Sequence, residues 1–334
     1  MKALRLTCWG KRAQMTDVSI PEPGPGQVRI KIAGAGACHS DLHLMEWQAG
    51  TLPLEVPFTL GHENAGIVDK LGAGVTGLVP GDAVLVHGSW GCGACRPCRL
   101  GRENYCERAS ELVAMGGGLG CDGGMAEYMV VPNPRLLIPL GDLDPVEAAP
   151  LADAALTPYA AIEQVRDRLF AGANAAVIGC GGLGQMAIQL LRATTGARVI
   201  AYDHDDRKLE TARALGADVL VRPSDPLPPC DVVLDMVGSD GTLVTAARAL
   251  RAEGRLVIVG LAGGTLPVTF LSLPFGASVS TSYWGTATEL MDVVALARAG
   301  RIHVDVQRFP LAHAMDAYDQ LRRGEIRGRA VVTP

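Results

Sequence analysis

Aromatic residues are scarce in this chain, at 4% of 334 residues. Their placement in loops therefore carries information that a richer composition would blur. No long run of Lys or Arg occurs, and the formal net charge is -5. A nucleic-acid partner needs clustered positive charge to meet phosphates, so none is expected. No apolar stretch reaches the roughly 18 residues of a membrane span. The opening MKALRLTCW has no basic region followed by an apolar run, so no export signal is expected and a cytoplasmic location is.

What is present is glycine, with 41 residues, and nine cysteines. The glycines have no three-residue period, which excludes a collagen-like chain. Nine is an odd number, and a chain this long without an export signal is a poor candidate for a disulfide framework. Four of the cysteines fall in the run CGACRPCRLGRENYC: Cys92, Cys95, Cys98 and Cys106. Zinc takes four ligands in a tetrahedron, and thiolates suit a structural site. Two-residue gaps let successive thiolates turn toward one centre. An iron–sulfur cluster fits less well, because the bacterial pattern wants a third gap of about three residues, with proline beside the last cysteine.

The first part of the chain reads as β-rich. In QVRIKIAGAG, Val28, Ile30 and Ile32 alternate with other residues at period two. NAGIVDKLG and DAVLVHG are further short strands around a Pro80-Gly81 turn, which suggests a small barrel-like domain. Helices are expected at 145 to 156 and 158 to 169. From residue 174 onward strands and helices alternate, a βαβ signature that implies a parallel sheet. The C-terminal part adds a strand at 302 to 309 and a helix near 311 to 322.

In that alternating region, VIGCGGLGQMA follows one strand and opens a helix. It places Gly179, Gly181 and Gly184 as G-x-G-x-x-G, with Gly182 and Leu183 at the helix start. Such a turn brings backbone close to a pyrophosphate, whose charge meets the positive helix end. Asp203 ends the next strand, nineteen residues past Gly184. Its carboxylate would accept bonds from ribose hydroxyls and repel a 2′-phosphate, so NAD is expected rather than NADP. Arg207 and Lys208 lie close by. A flavin is disfavoured.

Two segments of the β-rich part carry metal-ligand chemistry: GACHSDLH with Cys38, and GHENAG with His62. Thiolate and imidazole are both good zinc ligands. Asp41 and Glu63 could add oxygen. Spacing alone does not bring these residues together, and a lone Cys and His in separate segments are more often packing residues. The nicotinamide site argues otherwise, since hydride transfer calls for a Lewis acid on the substrate oxygen.

With GACHSDLH, TLGHENAG, CGACRPC…C, VIGCGGLG and Asp203 in view, the chain resembles the zinc-dependent, NAD-linked medium-chain alcohol dehydrogenases over essentially its whole length. GSWGCGACRPC, LADAALTPY and YWGT (283 to 286) lean toward bacterial secondary-alcohol enzymes. The resemblance implies an α/β fold: a GroES-like β-rich catalytic domain plus a Rossmann domain with a doubly wound parallel sheet. The domains would be 1–150, with the structural-zinc lobe, 151–285 for NAD, and 286–334 returning to complete the catalytic domain.

It further implies two zinc ions per chain. Cys38, His62 and Asp153 would hold the catalytic one, with Asp153 where many members have cysteine. Glu63 would stand behind the metal, and Asp41 would orient His62. Ser40 would bond the substrate oxygen, and His43 would pass the proton on. His39 would face the pyrophosphate, and Arg207 would also serve the cofactor. Trp47, Phe58, Trp90, Tyr283 and Trp284 are the pocket candidates.

A small hydrophobic secondary alcohol or ketone is the expected substrate, with primary alcohols and aldehydes also open. A polyol or sugar dehydrogenase is the alternative within the fold. An inert dinucleotide-binding scaffold is the alternative outside it, but it would have no need of Cys38, His62 and the proton relay. A homotetramer is expected, or a homodimer, with the apolar segment 266 to 279 as the interface.

Overall fold

The computed structural model describes residues 1–112 and 114–334. The chain divides into two compact units. The first comprises Met1–Asp153, Gly285–Arg298 and Val304–Pro334; the second comprises Ala154–Trp284 and Ala299–His303.

The first unit is built on a seven-stranded sheet. Its main path runs Leu137–Pro139, Ala83–Val86, Glu63–Leu71, Val28–Gly36, Arg329–Thr333 and Val306–Pro310, and Tyr128–Val131 also pairs with Val28–Gly36. The period-two pattern has its expected outcome, since Val28, Ile30 and Ile32 all face the core. Strand Arg329–Thr333 lies antiparallel to Val28–Gly36, with Val331 opposite Gly36. The last residues of the chain thus sit beside a strand near its start. The core of this unit joins Leu4, Ile30, Val68 and Met129 to Tyr318 and Val332.

The stretch expected as one helix from 145 to 156 is interrupted. Pro145–Ala148 is α-helical, and Ala149–Ala152 tightens into a 3₁₀ turn. Pro150 has no N–H to continue the α-helical ladder. Asp153 follows with φ -137° and ψ -58°, outside the helix. The turn packs on strands Val28–Gly36, Glu63–Leu71 and Arg329–Thr333, so the break delivers Asp153 to the ends of those strands. The stretch 158 to 169 likewise splits into helix Leu156–Glu163 and 3₁₀ turn Arg166–Arg168. The strand expected from 302 starts only at Val306.

The second unit holds a six-stranded sheet in the order Val219–Val221, Arg198–Tyr202, Asn174–Ile178, Cys230–Asp235, Leu250–Ile258 and Ser278–Thr281. Every pairing is parallel. In chain order this is 3-2-1-4-5-6, the Rossmann arrangement, whose topological switch lies beside the first strand. Helix Gly182–Thr194 follows that strand and buries Met186, Ile188, Leu190 and Leu191. No helix among the described residues is long and apolar enough to cross a membrane.

Candidate active site and metal centres

The four-cysteine lobe forms as its spacing requires. Cys92 Sγ lies 3.9 Å from Cys98 Sγ, and Cys95 Sγ lies 3.9 Å from Cys106 Sγ. A disulfide would hold two sulfurs about 2.05 Å apart. Four thiolates on zinc, each at about 2.3 Å, would span tetrahedral edges of about 3.8 Å. The donor set therefore fits a closed zinc site. The turn supplies local support: Ala94 and Cys95 donate backbone N–H bonds to Cys92 Sγ at 3.4 and 3.3 Å. Those bonds pull the Cys92 pKa down to about 6, whereas burial pushes Cys98 up to about 12.

The second cluster is assembled from distant segments. Ligand atoms of Cys38, His62, Glu63 and Asp153 all lie within 4.8 Å of one another. Asp153 Oδ2 is 3.7 Å from Cys38 Sγ and 3.8 Å from His62 Nε2. These spans approach the roughly 3.3–3.5 Å edges expected for sulfur, nitrogen and oxygen around zinc. Cys38 precedes helix His39–Glu46, while Glu63 begins a strand paired with Gly36. A Cβ on Gly36 would fall 1.9 Å from Glu63 Oε2, so glycine there leaves room for that carboxylate.

The electrostatics of this cluster call for a cation. Burial alone would lower the His62 pKa, but Asp41, Asp153 and Cys38 outweigh it and hold the imidazole well above its ordinary value. Burial lifts the Glu63 carboxyl well above the carboxylate range, against the pull of Arg329. Arg329, 4% exposed, is the buried guanidinium that pairs with Glu63. Four acidic side chains (Cys38, Asp41, Glu63 and Asp153) thus surround one arginine and one histidine. A divalent ion would neutralise much of that excess.

The support behind the ligands is also defined. Asp41 is fully buried, and its Oδ1 lies 3.2 Å from His62 Nδ1. Its Oδ2 accepts the Cys38 backbone N–H at 3.1 Å and the Tyr318 hydroxyl at 2.8 Å. Ser40 Oγ sits 3.3 Å from His62 Nε2, on the metal side of the ring. His43 stacks on Trp47 with centroids 5.8 Å apart. His39 is exposed. Arg329 and Tyr318 escape sequence reasoning, because neither belongs to a spaced motif. Their only signal is the C-terminal return itself.

Among the pocket candidates, Phe58 is a core residue. It is 1% exposed and meets Trp9 edge-on at 6.5 Å, because its short strand pairs with Lys2–Leu6 and turns the ring inward. Trp90 donates its indole N–H to His87 O at 2.9 Å. Trp284 is 5% exposed and holds φ +53°, a left-handed conformation rare for a bulky residue. Tyr283 meets it edge-on at 5.9 Å and is 38% exposed.

The glycine turn of the second unit is shaped for a dinucleotide. A Cβ on Gly184 would strike Gly179 O at 1.9 Å, whereas one on Gly181 would meet nothing within 4 Å. Gly184 thus serves close packing, and Gly181 borders open space at the start of the helix, where a pyrophosphate would be held. Asp203 Oδ2 accepts the Cys180 N–H at 2.8 Å, tying the turn to the next strand, and Oδ1 accepts the Asp205 N–H at 2.9 Å. Arg207 is engaged by Asp205 at 2.9 Å, and the pairing lowers the Asp205 pKa to about 2.

Two metal centres and a Rossmann nucleotide turn on one chain define a zinc-dependent, NAD-linked dehydrogenase. Residues 24–142 match the family described as alcohol dehydrogenase GroES-like domain, and residues 182–299 match the zinc-binding dehydrogenase family. The chain is 35% identical to an NAD-dependent alcohol dehydrogenase of Sulfurisphaera tokodaii, covering all of both chains. It is 34% identical, again over all of both, to one of Saccharolobus solfataricus. A D-arabinose 1-dehydrogenase (NADP(+)) of the latter organism is 32% identical, over 100% of this chain and 97% of that one.

Among solved structures, an alcohol dehydrogenase of Aeropyrum pernix superposes with a TM-score of 0.91 at 38% identity, covering all of both chains. Acetophenone reductase of Geotrichum candidum, in complex with NAD, gives 0.90 at 31%, over 100% of this chain and 97% of that one. The chain belongs to the zinc-dependent medium-chain alcohol dehydrogenase family. The expected leaning toward bacterial members is corrected, because the relatives matched over all of both chains, from Sulfurisphaera tokodaii at 35% and Saccharolobus solfataricus at 34% identity, are archaeal. Three short segments cannot rank relatives over a whole chain.

Proposed function

We propose that this enzyme interconverts hydrophobic secondary alcohols and ketones with NAD(H), primary alcohols and aldehydes being secondary substrates. The observation that carries the reading is the cluster of Cys38, His62, Glu63 and Asp153 with Ser40 Oγ beside it. Cys38, His62 and Asp153 would hold the zinc, with Glu63 in reserve. When bound there, zinc supplies a Lewis acid that polarises the substrate oxygen and lowers an alcohol's pKa. Ser40 hydrogen-bonds that oxygen and accepts its proton while handing on its own hydroxyl proton, and His43 passes a proton toward solvent. Gly181, the amides of Gly182 and Leu183, and His39 receive the pyrophosphate. Asp203 receives the ribose hydroxyls. Arg207 stands beside the adenosine side.

A hydrophobic substrate is supported by Trp47, Trp90, Tyr283 and Trp284 and by the likeness to acetophenone reductase. A second reading, a polyol or sugar dehydrogenase, gains weight from the D-arabinose relative. That relative uses NADP(+), and Asp203 opposes a 2′-phosphate. NAD- and NADP-linked oxidation of a panel of secondary alcohols, primary alcohols and aldoses, with zinc counted per chain, tests both. Two zinc ions and greatest kcat/KM on an aryl or alkyl secondary alcohol are expected. Preference for an aldose would overturn the substrate reading.

We also place the enzyme in the cytoplasm as a homotetramer or homodimer joined through 266 to 279. Phe270, Leu271 and Phe275 are 82%, 81% and 70% exposed, which supports an interface there.

A further inference from the structure

We propose that Tyr318 is a positioning residue for the Cys38–His62–Asp153 centre, acting through Asp41. This rests on the reading of that cluster as a zinc site. Tyr318 lies on helix Ala314–Arg322 and is fully buried. Its hydroxyl donates to Asp41 Oδ2 at 2.8 Å. The same oxygen accepts the Cys38 N–H at 3.1 Å, while Oδ1 faces His62 Nδ1 at 3.2 Å. One carboxylate therefore fixes the backbone of one ligand and the ring of another, and Tyr318 fixes the carboxylate.

Asp41 sits on a helix of eight residues. Within that segment its carboxylate already accepts the N-cap N–H of Cys38. The tyrosine, 277 residues away along the chain, adds a second donor to the same oxygen from outside the segment. A buried carboxylate that accepts a hydroxyl proton is held in one rotamer and stays an acceptor toward the imidazole N–H. It thereby keeps the lone pair of His62 on Nε2, the nitrogen that faces Cys38 and Asp153. The C-terminal return thus contributes to the metal centre although it supplies no ligand to it.

The four-cysteine lobe provides an internal control, since it contains no bond to Tyr318. Zinc retained per chain would be measured on full-length zinc-loaded protein dialysed against graded chelator. In Y318F, which removes only the hydroxyl, one zinc should leave at a chelator activity about ten- to a hundredfold lower than in wild type. The other should leave where it does in wild type. D41N should show the same selective loss, and the Y318F/D41N double variant should lose no more than D41N alone. L321A, which removes buried volume from the same helix, should leave both release curves in place. Unchanged release in Y318F, equal shifts at both sites, or additive losses in the double variant would overturn the proposal. So would a Y318F chain that is not recovered folded where L321A is, because the hydroxyl would then serve the fold rather than the centre. If instead the wild-type chain binds only one zinc, the zinc-site reading itself falls.

Discussion

The two metal centres of this chain are made in opposite ways. The lobe draws all four thiols from one fifteen-residue run, Cys92 to Cys106, and its turns supply their own N–H support. The Cys38 centre draws ligands from three separate segments and its support from a fourth and fifth, at Tyr318 and Arg329. The lobe is a local property of the sequence, whereas the other centre is a property of the folded sheet. A closed local site can cross-link but offers no open position for a substrate. A site gathered at strand ends can combine unlike donors, keep a hydroxyl beside them and leave a place open.

The largest effect that would sharpen this contrast is at Asp153. In D153A the Cys38 centre loses one carboxylate ligand, and Glu63, the other carboxylate of the cluster, is paired with Arg329. Turnover should fall to background and zinc per chain from two to one, with the melting temperature nearly unchanged. Metal analysis beside an NADH-linked assay checks this. Full activity in D153A would remove Asp153 from the centre. D153C, which restores the commoner thiolate, should keep two zinc ions and measurable turnover.

The mirror experiment is C98S. Cys98 is buried in the lobe, and its loss should release the other zinc. A cross-link closing a loop of this length contributes ~3 kcal/mol in the loop-entropy picture. Thermal unfolding should therefore move down by several degrees, while the folded fraction keeps its kcat within about tenfold. Loss of turnover with the second zinc still bound would show that the lobe does more than staple.

The same contrast explains what the sequence makes legible. The lobe could be read completely, because two-residue gaps put thiolates within reach of one ion whatever surrounds them. The glycine turn could be read because its chemistry sits within six residues, between a strand and a helix. At the Cys38 centre the residue types were legible but their proximity was not. Asp153 is 115 positions from Cys38, and the helix break at Pro150 that aims it lies in a stretch whose pattern predicts one continuous helix. Tyr318 and Arg329 left no signal beyond the C-terminal return, since a buried tyrosine in an amphipathic helix looks like core and an arginine at a strand start looks like surface. Phe58 misled for the converse reason: a scarce aromatic near a functional motif was packing.

The glycine turn falls on the local side, and two alanine variants separate its parts. In G184A the new Cβ meets Gly179 O at 1.9 Å, so the turn must distort. Stability and NAD binding should both fall. In G181A nothing stands within 4 Å, so the fold should hold within a degree or two of melting temperature. NAD affinity should still weaken by about tenfold, because the methyl group stands where backbone must approach the pyrophosphate. Calorimetric titration with NAD beside thermal unfolding tests the pair. Equal effects of both variants would mean that the open space at Gly181 is not the cofactor's.

The smallest expected effect concerns the lobe's chemistry when its zinc is stripped. Cys92 is drawn down to about 6 by the amides of Ala94 and Cys95, and Cys98 is pushed up to about 12 by burial. A thiol with a lowered pKa is a thiolate above that value, so at pH 7 Cys92 is mostly ionised and Cys98 is not. Thiolates are the reactive form. Brief iodoacetamide treatment of chelator-stripped protein at pH 7, read by peptide mass spectrometry, should therefore label Cys92 well before Cys98. Lowering the pH through 6 should slow Cys92 steeply, and raising it to 9 should leave Cys98 slow. Equal labelling of the two would show that the lobe does not keep its turn without metal. The local centre would then depend on its ion for its shape, as the assembled centre depends on the sheet.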